Sequence, residues 1–121
     1  MLRVASRFLE LLINGGQWEN VRLLSQDTVK QMTTNHLVGD QYPVRFDFWT
    51  GMGYGLGVGV QGDNMPDEGW PAGTFGWIGT GGSSAWVFPE ESGSVIALVQ
   101  ADNYFEPAFE LMALVYEAVS N

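Results

Sequence analysis

Three strand-like runs joined by very short turns constrain the fold of this 121-residue chain more than any other feature. The runs cover residues 72–79, 83–89 and 94–100, and they are joined by a glycine-rich turn and by the turn Pro89 to Gly93. Links of this length allow only antiparallel pairing, because parallel strands need a crossover of a dozen or more residues. The sequence therefore predicts an antiparallel meander. Its first hairpin, Gly73 to Pro89, is rich in glycine and aromatic residues, which suits either a strand that lines a site or a tight meander alone.

Helices are predicted at both ends of the chain. Apolar residues at three- and four-residue spacings predict a helix over Leu2 to Asn14, with Gly15 as a left-handed cap. Ser25 is the expected N-cap of a second helix that ends near residues 33–35, and Pro107 suits the first turn of a last helix. The expected apolar faces are Leu2, Ala5, Phe8, Leu9, Leu12 and Ile13 in the first helix, Val29 and Met32 in the second, and Phe109, Leu111, Met112, Leu114, Val115 and Ala118 in the last.

The segments between these elements complete the predicted fold. Loops are predicted over 38–51 and 62–69, and residues 52–61 alternate glycine with larger residues, which predicts one further strand. Side chains expected to pack here are Val21, Leu23 and Leu24 in the connection 17–24, Phe46, Phe48 and Trp49 in the first loop, and Met52, Tyr54, Leu56, Val58 and Val60 in the strand. The order of elements predicts an α+β fold in a single domain, 1–121, in which N-terminal helices and a C-terminal helix pack on an antiparallel sheet of about four strands.

Composition excludes several classes of function. The net charge of −9 comes from 14 acidic against five basic residues, so nucleic acids and anionic membrane surfaces are not expected partners. The chain has no cysteine, which removes disulfides, thiol catalysis and cysteine-ligated zinc. No apolar run of about 18 residues is present, so no membrane span is predicted. The start has no signal-peptide pattern, and the sequence leaves the compartment undetermined.

A search for catalytic groups finds no complete set in the sequence. The single histidine, His36, follows the second predicted helix and is typical of a surface or helix-end residue. The patterns Gly-x-Ser-x-Gly and Ser-x-x-Lys, which mark serine nucleophiles, are absent. The acids Asp63, Asp67 and Glu68 lack the spacing of a calcium loop, and no metal site or cofactor is predicted.

An ordered set of short segments nevertheless resembles the C-terminal part of the serine β-lactamase superfamily. That superfamily includes class C β-lactamases, related penicillin-binding proteins and the β-lactamase-like (family VIII) carboxylesterases. The matching segments are Asn14-Gly15-Gly16, Val21-Arg22-Leu23-Leu24-Ser25, Met32-Thr33-Thr34-Asn35-His36-Leu37, Tyr54-Gly55-Leu56-Gly57-Val58-Gly59-Val60, Gly76-Trp77-Ile78-Gly79 and Trp86-Val87-Phe88-Pro89-Glu90. Together they cover nearly the whole chain.

The resemblance assigns a role to one strand. Trp77-Ile78-Gly79 stands where the third active-site motif reads Lys-Thr-Gly in penicillin-recognising members and His-x-Gly or Trp-x-Gly in many relatives. It implies that Trp77, Ile78, Gly79 and Thr80 form the substrate-binding, oxyanion side of a cleft, with the Thr80 N–H as oxyanion donor. Tryptophan in place of lysine removes the cation that attracts a β-lactam carboxylate, which favours ester hydrolysis. The alternative is that Trp77 is only a packing aromatic.

The resemblance also implies that the chain is incomplete as an enzyme. The superfamily's other motifs, Ser-x-x-Lys and Tyr-x-Asn, do not occur here, so we expect a C-terminal segment that is inactive alone and whose full-length parent hydrolyses a small-molecule ester or amide. The chain also opens inside a helix, although a natural start with a frayed first turn is the alternative. A non-catalytic binding or assembly module is the second hypothesis, and an unrelated small enzyme is a third. Because missing upstream elements would expose a sheet edge or an apolar face, we expect a homo-oligomer.

Overall fold

The part of the chain that the structure describes forms three α-helices, a small hairpin and a larger sheet. The computed structural model of the protein describes residues 1–42, 44–46, 49–62, 70–100 and 105–120. In chain order the elements are α1 (Leu2–Ile13), β1 (Gln17–Trp18), β2 (Val21–Arg22), α2 (Gln26–Met32), a 3-10 turn (Gly39–Gln41), β3 (Val44–Phe46), β4 (Trp49–Tyr54), β5 (Gly59–Gln61), β6 (Phe75–Ile78), β7 (Ser84–Phe88), β8 (Gly93–Ala97) and α3 (Phe105–Ser120).

The larger sheet is an antiparallel meander in which every strand pairs with the next strand along the chain. Its order is β3-β4-β5-β6-β7-β8, and the hairpin β1-β2 forms a separate two-stranded sheet. The α+β prediction is confirmed, and so are the three predicted C-terminal strands, which are each shorter than expected. The turn before the last strand also lies where it was predicted, between Phe88 and Gly93.

The strand count differs from the prediction, because the sheet has six strands rather than about four. The single strand predicted over 52–61 is a hairpin, in which β4 pairs with β5 from Met52↔Gln61 to Tyr54↔Gly59. The turn between them contains Gly57 at φ +87°, a conformation that suits glycine and ends a strand. The loop predicted over 38–51 is wrong as well, since β3 and the start of β4 lie within it.

The sheet is buried on both faces. Side chains alternate along its strands, so one strand can contribute to an apolar cluster on either face. On β7, Trp86 and Phe88 belong to one apolar cluster, while Val87 belongs to the other. The first cluster is completed by α3 through Ala108 and Met112. The second is completed by α1 and α2, chiefly Leu9, Leu12 and Val29. The sheet is therefore the middle of three layers.

Helix α1 ends in the way the sequence predicted. Gly15 has φ +62°, its N–H donates to Leu12 O at 3.0 Å, and the Gly16 N–H donates to Leu11 O at 2.8 Å. These two bonds satisfy carbonyl groups that the helix leaves without partners. Gly16 must itself stay a glycine, because a Cβ there would overlap the Leu24 carbonyl oxygen.

Helix α2 also begins where the sequence predicted. Ser25 is its N-cap, with the hydroxyl accepting from the Thr28 N–H at 3.0 Å, and Thr33 closes it. A cap of this kind satisfies one of the first N–H groups of the helix. The two N-terminal helices therefore have the bounds that local sequence signals indicate.

Several predicted core positions are exposed instead. The exposed side chains are Leu2 and Phe8 of α1, Val21 and Leu23 in or next to β2, Leu56 of the β4–β5 turn, and Leu111, Leu114 and Ala118 of α3. The hairpin is held mainly by polar contacts: the Arg22 guanidinium donates to Gly15 O and Leu24 O, and Arg7 lies over the Trp18 ring.

Some predictions fall on residues outside the described part of the chain. They are the acidic loop with Asp63, Asp67 and Glu68, the aromatic Phe48, and most of the connection before α3. Pro107 does lie in the first turn of α3, as predicted. Within the described ranges, no helix combines the length and apolarity that crossing a membrane requires.

We predict that Gly76→Ala destabilises the fold. A Cβ at Gly76 would overlap the Ala85 carbonyl oxygen and lie 2.7 Å from the Trp86 ring, and both neighbours belong to the paired strand β7. The expected loss in free energy of unfolding is about 1–3 kcal/mol, measured by urea denaturation. Gly81→Ala is the matched control, since its Cβ would meet only Val99 O at 3.8 Å. Equal stability of the two variants would contradict the packing described for β6 and β7.

Candidate functional site

The candidate site is the C-terminal end of β6 and the turn that follows it. Trp77 is 42% exposed, whereas Ile78 is buried beneath the sheet surface. Gly79 and Thr80 are exposed and begin a tight turn, in which the Gly82 N–H donates to Gly79 O at 2.9 Å. The four residues predicted from the resemblance therefore form one continuous segment, which we call the β6 rim (residues 77–80).

Backbone directions along β6 follow from two hydrogen bonds. The Gly79 N–H donates to Ser83 O at 2.7 Å, on the β7 side of the strand, while Thr74 O accepts from the Gln61 N–H at 2.7 Å, on the β5 side. Because the backbone groups of successive strand residues point to opposite sides, odd-numbered residues of β6 face β7 and even-numbered residues face β5. The backbone groups of Ile78 consequently point toward β5.

Strand β5 is too short to cover that side of the β6 rim. Its last pair with β6 joins Gly59 to Gly76, and the chain then turns away through residues 55–58. Next in line is Thr80, whose N–H has no hydrogen-bond acceptor among the described residues. The β6 rim therefore presents an open strand edge that ends in an exposed amide donor.

An aromatic pair lies beside this open edge. The rings of Tyr54 and Trp77 meet edge to face, with centroids 5.2 Å apart and planes at 86°. Such contacts fix ring orientation and contribute about 0.5–1.5 kcal/mol beyond area burial. Trp77 thus packs on its neighbour and still leaves a large exposed surface, so the packing role and the site role do not exclude each other.

Asn35 holds Tyr54 in position through the chain that follows α2. Its side-chain oxygen accepts from the Tyr54 N–H at 3.0 Å and from the Leu37 N–H at 2.9 Å, and its Nδ2 donates to Leu37 O. Gly53 allows this approach, because a Cβ there would overlap the Asn35 side chain. The sequence contained no signal for this link; it depends on the pairing of β4 with the chain after α2.

His36 is part of the same link. Its backbone N–H donates to Tyr54 O at 2.9 Å, and its ring Nε2 lies 2.7 Å from Gln31 O, a carbonyl that can only accept. The ring therefore caps the end of α2, as expected for a helix-end histidine. Across the described residues, no cluster of three or more His, Asp and Glu side chains is placed to hold a metal ion.

Comparisons with known proteins give two curated relatives and a structural neighbour. No family model matches the chain. Two curated proteins of Mycobacterium tuberculosis, the uncharacterized protein MT1414 of strain CDC 1551 and protein Rv1367c of strain H37Rv, are each 34% identical to it over 101 residues. These matches span 76% of this chain but only 24% of each relative, so the chain corresponds to a minor part of their length.

A solved structure shares the architecture of this chain. It is a penicillin-binding protein homolog from Caulobacter crescentus, with a TM-score of 0.68 and 23% sequence identity. The match covers 96% of this chain and 30% of that chain. The chain therefore has the fold of part of that penicillin-binding protein homolog, which confirms the fold that the resemblance implies.

We predict that Asn35→Ala lowers stability and loosens the Tyr54–Trp77 contact. The substitution leaves the partly buried Tyr54 N–H without its acceptor, and we expect a loss of about 1 kcal/mol. Urea denaturation should show this loss, and near-ultraviolet circular dichroism should show a weaker aromatic signal. Asn14→Ala is the control, because Asn14 is an exposed residue at the end of α1. An unchanged aromatic signal in Asn35→Ala would contradict the positioning role.

Proposed function

We propose that the chain is the C-terminal segment of a β-lactamase-like serine hydrolase that cleaves an ester or amide in its full-length form. In that form a serine outside this chain attacks the carbonyl carbon, the bond to the leaving group breaks, and water then releases the acyl group. The chain contributes the strand that binds the acyl carbonyl and is inactive alone. The fold it shares with a penicillin-binding protein homolog supports this assignment.

The exposed amide of Thr80 is the observation that carries the proposal. An oxyanion hole needs N–H donors that are fixed before the reaction and aimed at the developing negative charge. Thr80 follows a strand paired on its β7 side, where the Gly79 N–H is already held by Ser83. Its own N–H is thus an amide donor next to a rigid element, with no competing acceptor among the described residues.

The aromatic pair supports an uncharged ester as the substrate class. The resemblance assigns Trp77 to the position at which penicillin-recognising members of the superfamily carry a lysine, so no ammonium group would attract a substrate carboxylate there. The exposed Trp77 surface, backed by Tyr54, suits contact with an apolar acyl or leaving group. We therefore favour ester over β-lactam hydrolysis.

A second candidate is a non-catalytic module that keeps this half of the fold for binding or assembly. The exposed apolar side chains on α1 and α3, including Val4, Phe8 and Leu114, favour it. Both candidates include self-association into a homo-oligomer through an exposed sheet edge or apolar face. They differ in the upstream reading frame: in-frame Ser-x-x-Lys and Tyr-x-Asn motifs support the hydrolase, and their absence supports the module.

We predict that the purified 121-residue chain does not turn over p-nitrophenyl acetate or nitrocefin above the buffer rate. The physical reason is that it lacks the Ser-x-x-Lys nucleophile and the Tyr-x-Asn group, and an oxyanion donor alone has no intermediate to stabilise. Saturable turnover that copurifies with the chain through two chromatographic steps would refute the proposal that the chain is inactive alone.

In the full-length parent, we predict that Thr80→Pro lowers kcat by about 10²–10³-fold. Proline removes the backbone N–H, which is the proposed oxyanion donor, and losses of this size follow removal of one such donor. Thr80→Ala keeps the N–H and should leave kcat within a few-fold of the parent. Steady-state kinetics on an aryl ester checks both. Equal losses in the two variants would assign the effect to the side chain or to folding and contradict the proposed role.

A further inference from the structure

The turn that follows β6 closes with a glycine bulge. The Gly79 N–H donates to Ser83 O at 2.7 Å, and the Gly82 N–H donates to Gly79 O at 2.9 Å, so Gly82 and Ser83 both lie opposite Gly79. Gly82 has φ +86°, the left-handed conformation that the first residue of such a bulge adopts. Thr80 lies in the three-residue loop 80–82, and neither bond of the turn uses its N–H.

The bulge leaves a gap in the pairing between β7 and β8. The two strands pair as far as Ser84↔Ala97, and the backbone of Ser84 faces β8 because that of Ser83 faces β6. In a regular antiparallel ladder, the next hydrogen-bonded pair would join Gly82 to Val99. The Gly82 N–H is already used within the turn, so the Val99 backbone needs another partner.

The Ser83 hydroxyl is that partner. It donates to Val99 O at 3.0 Å and accepts from the Val99 N–H at 3.1 Å, which a hydroxyl can do at the same time. Among the described residues, no other hydrogen bond joins the turn 79–83 to residues 98–100. Ser83 therefore holds the turn on two sides, through its carbonyl group to Gly79 and through its hydroxyl to Val99.

We propose that Ser83 is a positioning residue for the Thr80 amide. The inference rests on the proposed function, in which the Thr80 N–H is the oxyanion donor. Such a donor stabilises developing charge only if it is fixed before the reaction, and a small displacement of a catalytic group is costly. Ser83 acts through the turn and not by contact with the substrate. Its hydroxyl gives the turn a second attachment, to the chain beyond β8, which alanine could not provide.

The neighbouring serine provides a matched control. Ser84 is 5% exposed, and its Oγ has no hydrogen-bond partner among the described residues. Its side chain belongs to the face of β7 that carries Trp86, since side chains alternate along a strand. Ser84→Ala therefore removes a hydroxyl next to Ser83 without removing a hydrogen bond.

The first experiment measures amide exchange and ¹⁵N relaxation in the 121-residue chain. Ser83→Ala should speed exchange of the Val99 N–H at least about tenfold and lower the order parameter of the Thr80 amide. Ser83→Thr keeps the hydroxyl and should preserve both values, and Ser84→Ala should also leave both unchanged. If Val99 exchange or the Thr80 order parameter does not respond to Ser83→Ala, the inference is overturned.

The second experiment measures steady-state kinetics of the full-length parent on an aryl ester. Ser83→Ala should lower kcat about tenfold and leave KM within about twofold, whereas Ser83→Thr should retain most of kcat. The double variant Ser83→Ala with Thr80→Pro should have the kcat of Thr80→Pro alone, because Ser83 acts through an N–H that proline has removed. Additive losses would assign the effect of Ser83 to general stability and contradict the positioning role.

The outcomes distinguish failure of this inference from failure of the proposed function. If Thr80→Pro lowers kcat and Ser83→Ala does not, the positioning role is wrong and the oxyanion role of Thr80 stands. If Thr80→Pro leaves kcat unchanged, the oxyanion role is wrong, and the positioning role that rests on it is overturned as well.

Discussion

Burial of the central sheet on both faces is the constraint on which the rest of this structure depends. Trp86, Val87 and Phe88 follow one another on β7, and none of the three has any exposed surface. Consecutive strand residues point to opposite faces, so such a run requires an apolar layer on each side. Helix α3 supplies one layer, and α1 with α2 supplies the other. A one-residue slip of β7 would place every side chain on the wrong face, which fixes the register of β6 and β8 as well.

The open end of β6 follows from that arrangement through α2. The Met32 carbonyl at the end of α2 accepts from the Leu56 N–H at 3.0 Å, and Gly55 must lack a Cβ because one would overlap the same carbonyl oxygen. The β4–β5 turn is thereby held against α2, and β5 begins only at Gly59. No described strand then pairs with the backbone groups of Ile78 on the side away from β7. The exposed rim is a consequence of where α2 ends, and no residue of the rim itself produces it.

Local sequence signals predicted the elements whose bounds they determine. Gly15, Ser25 and the turn before Gly93 act on neighbouring backbone, so α1, α2 and the C-terminal meander could be predicted. The hairpin β4-β5 could not, because alternation of glycine with larger residues is the same in one long strand and in two short ones. Exposure of Leu2 and Leu23 was also missed, since it depends on which partners reach them in space.

The candidate site was predictable only as far as the resemblance extended. The segment 77–80 was identified by its match to a third active-site motif, and the structure gives it an exposed end. The contact between Tyr54 and Trp77, and the support of Tyr54 by Asn35, arise from pairing between distant segments, for which the sequence has no periodic signal. Ile78 is buried, whereas Trp77, Gly79 and Thr80 are exposed. The sequence could not predict this difference, because the packing of the whole sheet decides which face of a strand is covered.

Binding a carbonyl group and attacking it place different demands on the structure. In the proposed function, a strand edge that receives a carbonyl group needs only fixed backbone donors, and the pairing of β6 with β7 would hold them in place. A nucleophile and its base must in addition be aligned to within a fraction of an ångström on that carbonyl, which requires contacts to a second set of elements. In that proposal, the β6 rim keeps its shape without the catalytic groups, whereas the catalytic groups would need the rim to act. The proposal therefore assigns to this chain the part of the site that depends least on contacts with other elements.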